Sequence, residues 1–549
     1  MTYSKFRAKE VVRSFPKDSS LSIIVPSGSR YAYDIISKVG FESLVAGKRL
    51  SEIKHELESV IPNLNIPFSS LYDQQRKFLF YFGELHRQAT PSIKEYLHSF
   101  DRVNWLIDGT LEPGSDVFFG VKECQKYIML DCFKIATENE RDICSCLRTV
   151  GESFGPPDEI VHDLSKIIQK ACQTVYSDVV QRVCHFHFTR DVGKDLYELP
   201  QEMLTNRLRK LKLQLHLKDQ RKKQNQWLRH AVDDKQVLIL ENLLKDKQVA
   251  IIDNEVLGRE IFLSLNYWML DYANDGKRQG YPFDPYLLYF HRRITKVYES
   301  IHKIVASALS ETGIPQCLSY LLNKLEIYFS DREVTRASSL YEEAFSIFND
   351  IRASLRLLDI SENTSPIYES FEISPLEQNE IINNIFDLKS KLNEQMQSTK
   401  DAAKKNLYDI ALKHINKYEP YLVSESNLDN VNYKMTRTTN KLEQHWGNAK
   451  RTKRRVTGKK KLTREFNSLP KEFMLVQNLN NQDYVDLVIG DIEKLPEKLA
   501  EAGKHAGPFS RWAKQQNVKN GSKIAKHLLR KNEFLNDLIE ICYPPTSMN

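Results

Sequence analysis

Strands alternating with helices over residues 99–195, a purely helical stretch over 196–425, and helical modules at both ends predict a mixed α/β core interrupted by a large all-α insertion. In the core, Val103–Ile107, Val117–Val121 and Tyr127–Phe133 are apolar runs of strand length, rich in aromatic and β-branched residues. A helix follows with Ile143, Leu147 and Val150 on one face, and stops at Gly155-Pro156-Pro157. Strand Glu159–Val161, helix Leu164–Tyr176 and strand Val179–Phe188 complete the pattern.

Residues 1–98 read as a helical DNA-binding module. Ser22–Pro26 is strand-like, and Tyr33–Val39 has helical spacing. Arg49–Leu57 is amphipathic through Leu50, Ile53 and Leu57. A turn at Pro62, Asn63 and Asn65 then leads to Ser69–Phe78, which carries Gln74, Gln75, Arg76 and Lys77. Short helix, turn and a polar second helix is the pattern of a helix-turn-helix, with Arg76 and Lys77 placed to meet DNA; a plain three-helix scaffold reads the same way.

Leu318–Phe329, Leu340–Leu358 and Glu377–Met396 are long helical patterns of the insertion, broken at Gly280–Pro285. Arg207–Arg229 is strongly basic. Trp227 and Trp268 suit stacking on an unpaired base or, more simply, burial among helices. Residues 426–468 carry a last core helix and a basic tract, and 469–549 form a C-terminal helical domain. In that domain Phe509–Lys514, a turn at Gly521 and Ser522–Leu529 resemble a second, weaker helix-turn-helix.

Composition narrows the class. With 41% hydrophobic and 28% charged residues the 549-residue chain is that of an ordered protein of several domains. A net charge of +7 is too small to identify a nucleic-acid binder, so local clustering carries that argument. Eight cysteines without scaffold spacing predict a reducing compartment, and no secretory signal or apolar membrane span is expected. The expectation is an intracellular protein, in the cytoplasm or nucleoid if the source is bacterial or archaeal.

Three acidic residues stand out: Asp108 after an apolar strand, Asp163 after another, and Glu443 on a helix entering a basic tract. Each has a plain structural reading: a turn at Asp108-Gly109, a helix N-cap at Asp163 and a surface charge at Glu443. Glu112, Asp116, Asp131 and Glu138 are rival carboxylates, with Asp131 the main one because it lies in a strand. The basic tract supplies Lys450, Arg451, Lys453, Arg454, Arg455, Lys459, Lys460 and Lys461 with no acidic residue among them, a footprint for phosphate or a solvated loop. Cys184 and His187 are spaced Cys-x-x-His; a zinc site joining them to Cys144 and Cys146 lacks the paired knuckles that structural zinc prefers.

Taken together, Ile107-Asp108-Gly109-Thr110, Ile160–Ser165, Val183–Lys194 and Thr438–Gly447 resemble the catalytic core of a Mutator-like (MULE-type) DDE transposase. The resemblance implies an RNase H-like fold with a helical insertion, in which Asp108, Asp163 and Glu443 are catalytic and hold two Mg²⁺ ions, Mn²⁺ substituting. It implies that Cys184 and His187 support the site or the fold rather than ligate metal. It further implies double-stranded DNA partners (terminal inverted repeats and target), strand cleavage and strand transfer by a homodimer or larger assembly, and no membrane. A catalytically silent DNA-binding descendant, or a nuclease of the same fold, would share these motifs.

Overall fold

The computed structural model describes residues 24–27, 29–61, 64–100, 102–231, 245, 255–308, 315–357, 372–423 and 434–518. The chain divides into two compact units, one of residues 1–182 with 438–549 and one of residues 183–437.

The first unit opens with three helices, α1 (Tyr33–Leu44), α2 (Leu50–Val60) and α3 (Phe68–His98). The predicted strand at Ser22–Pro26 is absent over its described part, where Ile24 and Val25 lie in a turn and bend. Leu50, Ile53 and Leu57 face Ile35, Val39 and Leu71, as the spacing predicts. The third helix is much longer than the expected Ser69–Phe78, because Phe78, Leu79, Phe82 and Leu85 extend its apolar stripe into the main core.

Strands β1 (Asn104–Thr110), β2 (Val117–Glu123) and β3 (Met129–Ile135) form an antiparallel meander. Helix α4 (Glu140–Phe154) leads to β4 (Glu159–His162), and α5 (Lys166–Val175) leads to β5 (Val180–Val183). The sheet has the order β3-β2-β1-β4-β5, with β4 parallel to β1. One face is covered by α4 and α5, through contacts such as Trp105 on Tyr176. Below them Arg182 bonds Glu159 at 3.1 Å, both fully buried, a pair whose single loss would cost about 3–5 kcal/mol.

The second unit begins where β5 was expected to continue. The predicted strand Val179–Phe188 stops at Val183, and helix α6 (His185–Leu211) starts two residues later. His-Phe-His-Phe alternates like a strand over a short window. Over a longer one His185, Phe188, Thr189, Val192 and Leu196 are buried at helical spacing, and that stripe prevails. The insertion is otherwise helical: α7 (Leu213–Ala231), α8 (Glu255–Leu270), α9 (Tyr286–Ala308), α10 (Gln316–Phe329), α11 (Arg332–Ser354), α12 (Pro375–Ser398) and α13 (Ala402–Leu422). Helix α6 packs on α11 through Tyr197, Tyr341 and Phe348. Two short strands, β6 (Glu372–Ile373) and β7 (Met435–Thr436), pair antiparallel at its end.

The chain returns to the first unit as α14 (Asn440–Thr457), which ends at Gly458 with a left-handed φ of 68°. Small helices follow: α15 (Thr463–Ser468), α16 (Glu472–Leu475), α17 (Gln482–Val488), α18 (Leu495–His505) and α19 (Phe509–Val518). Residues 33–97, the sheet and residues 442–502 share one apolar core. The second half of the C-terminal helix-turn-helix reading, residues 519–529, lies outside the described residues. Among the described residues no helix is long and apolar enough to cross a membrane.

Candidate functional site

Asp108 lies inside β1, which continues to Thr110, so the turn expected at Asp108-Gly109 is replaced by strand pairing with Gly120 and Phe119. Its Oδ1 accepts the Gly109 N–H at 2.8 Å. On the parallel neighbour, Leu106 is registered with Val161, and counting two residues on along each strand reaches Asp108 and Asp163. The pairing itself ends at Leu106–Val161: Asp108 lies in β1, and Asp163 follows directly on the last residue of β4, His162. Asp163 is not the helix cap: Ser165 caps α5, and Asp163 Oδ1 accepts the Ser165 N–H at 2.9 Å.

Glu443 comes from α14, which lies on the face that Asp108 uses. The antiparallel pair Asp108↔Gly120 directs both Cα–Cβ vectors to one side, and a Cβ on Gly120 would collide with the Trp446 indole. Leu442, His445, Trp446 and Ala449 form the buried stripe of α14, and Glu443 flanks it half-buried, one turn before Trp446. Sequence reasoning passed over Gly120. A lone glycine inside Phe-Phe-Gly-Val is the sign of a close approach that it had available.

The rival carboxylates separate. Asp131 is held by Lys471 at 2.9 Å, Glu112 by Arg454 at 2.6 Å, and Asp116 by Lys134 at 3.4 Å. Glu138, not the favoured Asp131, is the rival that senses a candidate aspartate: it packs against Gly109, and burial and the Asp163 charge raise its carboxyl above the ordinary value. Among the described residues no group of three or more His, Cys, Asp or Glu side chains is gathered closely enough to hold a metal ion. Asp108, Asp163 and Glu443 offer the oxygen donors that a hard cation takes, and among the described residues they are not gathered into such a group.

The basic tract sorts into inward and outward charges. Lys450 donates to the Leu111 carbonyl at 2.9 Å; burial lowers its ammonium pKa, and Glu112 and Asp108 oppose that shift. Arg454 is taken by Glu112, Lys453 lies over Phe473, and Lys459 pairs with Glu465. Arg451, Arg455, Lys460 and Lys461 face solvent. In the N-terminal module, Lys77 pairs with Asp73 at 3.1 Å and, like Arg76, lies over the Phe509 ring. Gln74 and Gln75 are buried, Gln75 bonding Ser43 Oγ at 2.7 Å.

Cys184 and His187 belong to the second unit. Cys184 is the N-cap residue of α6, with the His185 N–H donating to the Arg437 carbonyl at 2.9 Å and His185 Nε2 bonding the Leu422 carbonyl at 2.8 Å. His187 is buried edge-on to Phe186. Cys144 and Cys146 are buried on α4, and desolvation raises both thiols. Trp227 and Trp268 are not core aromatics: Trp227 is half-buried and Trp268 is exposed. No protein-family model matches the chain, and no curated protein matches it significantly.

Proposed function

We propose that the first unit is an RNase H-like catalytic core and that the protein is a DDE transposase, cleaving DNA at transposon ends and transferring the strands to target DNA. The observation that supports this reading is the parallel pairing of β1, which carries Asp108, with β4, which Asp163 directly follows, together with the helix bearing Glu443 packed through Trp446 on the Asp108 face. A meander of three strands, a fourth strand parallel to the first, a fifth beside it and a late helix returning after an insertion support the same fold.

Asp108, Asp163 and Glu443 would hold two Mg²⁺ ions, or Mn²⁺ in their place; when bound, such ions activate an attacking water or 3′-hydroxyl and stabilise the leaving oxygen. The residues of the chain do the placing. β1 carries Asp108, Asp163 follows directly on β4 with its carboxylate tied to the Ser165 N–H, and Trp446 seated on Gly120 holds the helix that would present the third. Arg451, Arg455, Lys460 and Lys461 offer a sequence-independent, salt-sensitive hold on the DNA backbone. Holding two ends at once requires a homodimer or larger assembly.

The test is Mg²⁺- or Mn²⁺-dependent cleavage of a labelled duplex from the flanking locus, beside Asp163→Ala. Cutting by the parent, background cutting by the variant and equal DNA binding by both is the expected result. A catalytically silent DNA-binding descendant is the second reading, since among the described residues the three carboxylates are not gathered into a metal-holding group. Binding without cutting in folded parent protein would establish that second reading. Adding a target plasmid separates a transposase, which yields joined products, from a nuclease of the same fold.

A further inference from the structure

In the second unit, α7 and α8 pack antiparallel, Asn266 Nδ2 donating to the Leu217 carbonyl at 3.0 Å and Arg259 lying 4.0 Å from the Trp227 ring centre. The outer edge of this pair combines two features that soluble helices usually keep apart.

The first is aromatic. Tyr267 and Trp268, adjacent on α8, are 49% and 41% exposed, and each is backed by a guanidinium: Arg221 lies 4.9 Å from the Tyr267 ring centre and Arg293 4.8 Å from that of Trp268. Asn225 Nδ2 donates to the Tyr267 hydroxyl at 2.9 Å, and Arg293 Nε bonds Asp275 at 2.7 Å. The rings are thus fixed from behind and open in front. Ordering two large side chains at the surface costs entropy, so rings already held lose little more when a flat partner stacks on them.

The second feature is charge. Lys218, Lys222, Asn225 and Arg229 follow one another at intervals of four, three and four residues, which places them along one face of α7. Asn225, the residue that holds Tyr267, lies within that row. Lys218, Lys222 and Arg229 are exposed, and among the described residues none of them forms an ion pair. A row of cations beside the exposed Tyr267 ring, with a second held and exposed ring, Trp268, next to it in the chain, matches a chain of phosphates carrying unpaired bases. A duplex, whose bases are stacked on each other, would use the cations and leave the rings idle.

We propose that this α7–α8 edge binds single-stranded nucleic acid, bases stacking on Tyr267 and Trp268 and phosphates lying along Lys218, Lys222 and Arg229. The assignment is independent of the catalytic reading and of the Lys450–Lys461 tract. The experiment is photocrosslinking of the full-length protein to a single-stranded oligonucleotide containing 5-iododeoxyuridine, with crosslinked peptides mapped, alongside fluorescence anisotropy on single-stranded and duplex probes. Crosslinks are expected at Tyr267 and Trp268. The pair Tyr267→Ala with Trp268→Ala should weaken single-strand binding about tenfold or more, from stacking of roughly 1–3 kcal/mol per base, while duplex binding stays unchanged. Tyr267→Phe with Trp268→Phe should restore it. Replacing Lys218, Lys222 and Arg229 by Gln should lower the salt slope by about two. Crosslinks confined to 450–461, or ring variants that bind single strands like the parent, would overturn the proposal. Equal losses on single strand and duplex would overturn it as well.

Discussion

Lys122 illustrates how much one residue under α14 can reveal. It shares the sheet face of Asp108 and Gly120, is buried, and its Nζ donates to His445 Nδ1 at 3.3 Å. His445 Nε2 lies 2.8 Å from the Met474 carbonyl, which only accepts, so Nε2 carries the ring proton and Nδ1 offers its lone pair to Lys122. Burial pushes Lys122 down to about 8, and the same desolvation holds His445 well below its ordinary value, leaving that ring neutral. The unfolded chain keeps the lysine protonated to ~10.4, so between those limits it binds more protons than the folded chain, and stability rises with pH. Completed, the gain is roughly 3 kcal/mol. Urea midpoints at pH 7.5 and pH 10 for the parent and Lys122→Met read it directly: relative to the variant, the parent should gain stability on going to pH 10. A parent that tracks the variant across both values would show that the buried ammonium costs nothing.

At the scale of elements, α14 depends on a contact that only glycine permits. A Cβ at residue 120 would stand 2.5 Å from Trp446 Cη2, so Gly120→Val must push the indole, and with it the turn bearing Glu443, away from the sheet. We expect a loss of about 1–3 kcal/mol from overpacking, read as a lower urea midpoint, and a fall in any metal-dependent cleavage. Gly447→Ala is the control on the same helix, since nothing lies within 4 Å of its new methyl group; it should leave both unchanged or gain slightly in stability. Equal effects of the two substitutions would remove the special role of the Gly120 seat. The elements of the site were legible for a related reason. Local patterns named the strands of Asp108 and Asp163 and the helix of Glu443, because apolar runs and helical spacing are properties of neighbouring residues. The parallel register of β1 with β4 was not legible, since it is set by long-range packing. Nor was the burial of Gln74 and Gln75: their polarity suggested an exposed recognition helix, and only the tertiary partner Ser43 explains why one of them lies inside.

For the whole molecule, the linear texture of the sequence conceals how the chain is distributed. It reads as five successive blocks, yet the core of the first unit draws on residues 33–97, on the sheet and on 442–502, segments separated by the entire insertion. Helix α3 helps to bridge these parts, with His86 bonding Tyr484 at 3.0 Å and the Leu130 carbonyl at 2.7 Å. A chain of residues 1–182 would therefore expose the apolar faces that α14 and the later helices cover, and should not fold. The second unit differs, because its helices bury their stripes against one another and its entry and exit are tied together: the His185 N–H donates to the Arg437 carbonyl at 2.9 Å. Ends so close can be joined by a short flexible loop at small entropic cost. Residues 183–437 alone should melt cooperatively with a helical circular-dichroism spectrum, and 1–182 joined to 438–549 by a short Gly/Ser linker should recover a folded α/β core. If the joined chain aggregates while 183–437 folds, the core needs the insertion for more than continuity of the chain. If 183–437 fails to fold, the division into two cores is itself wrong.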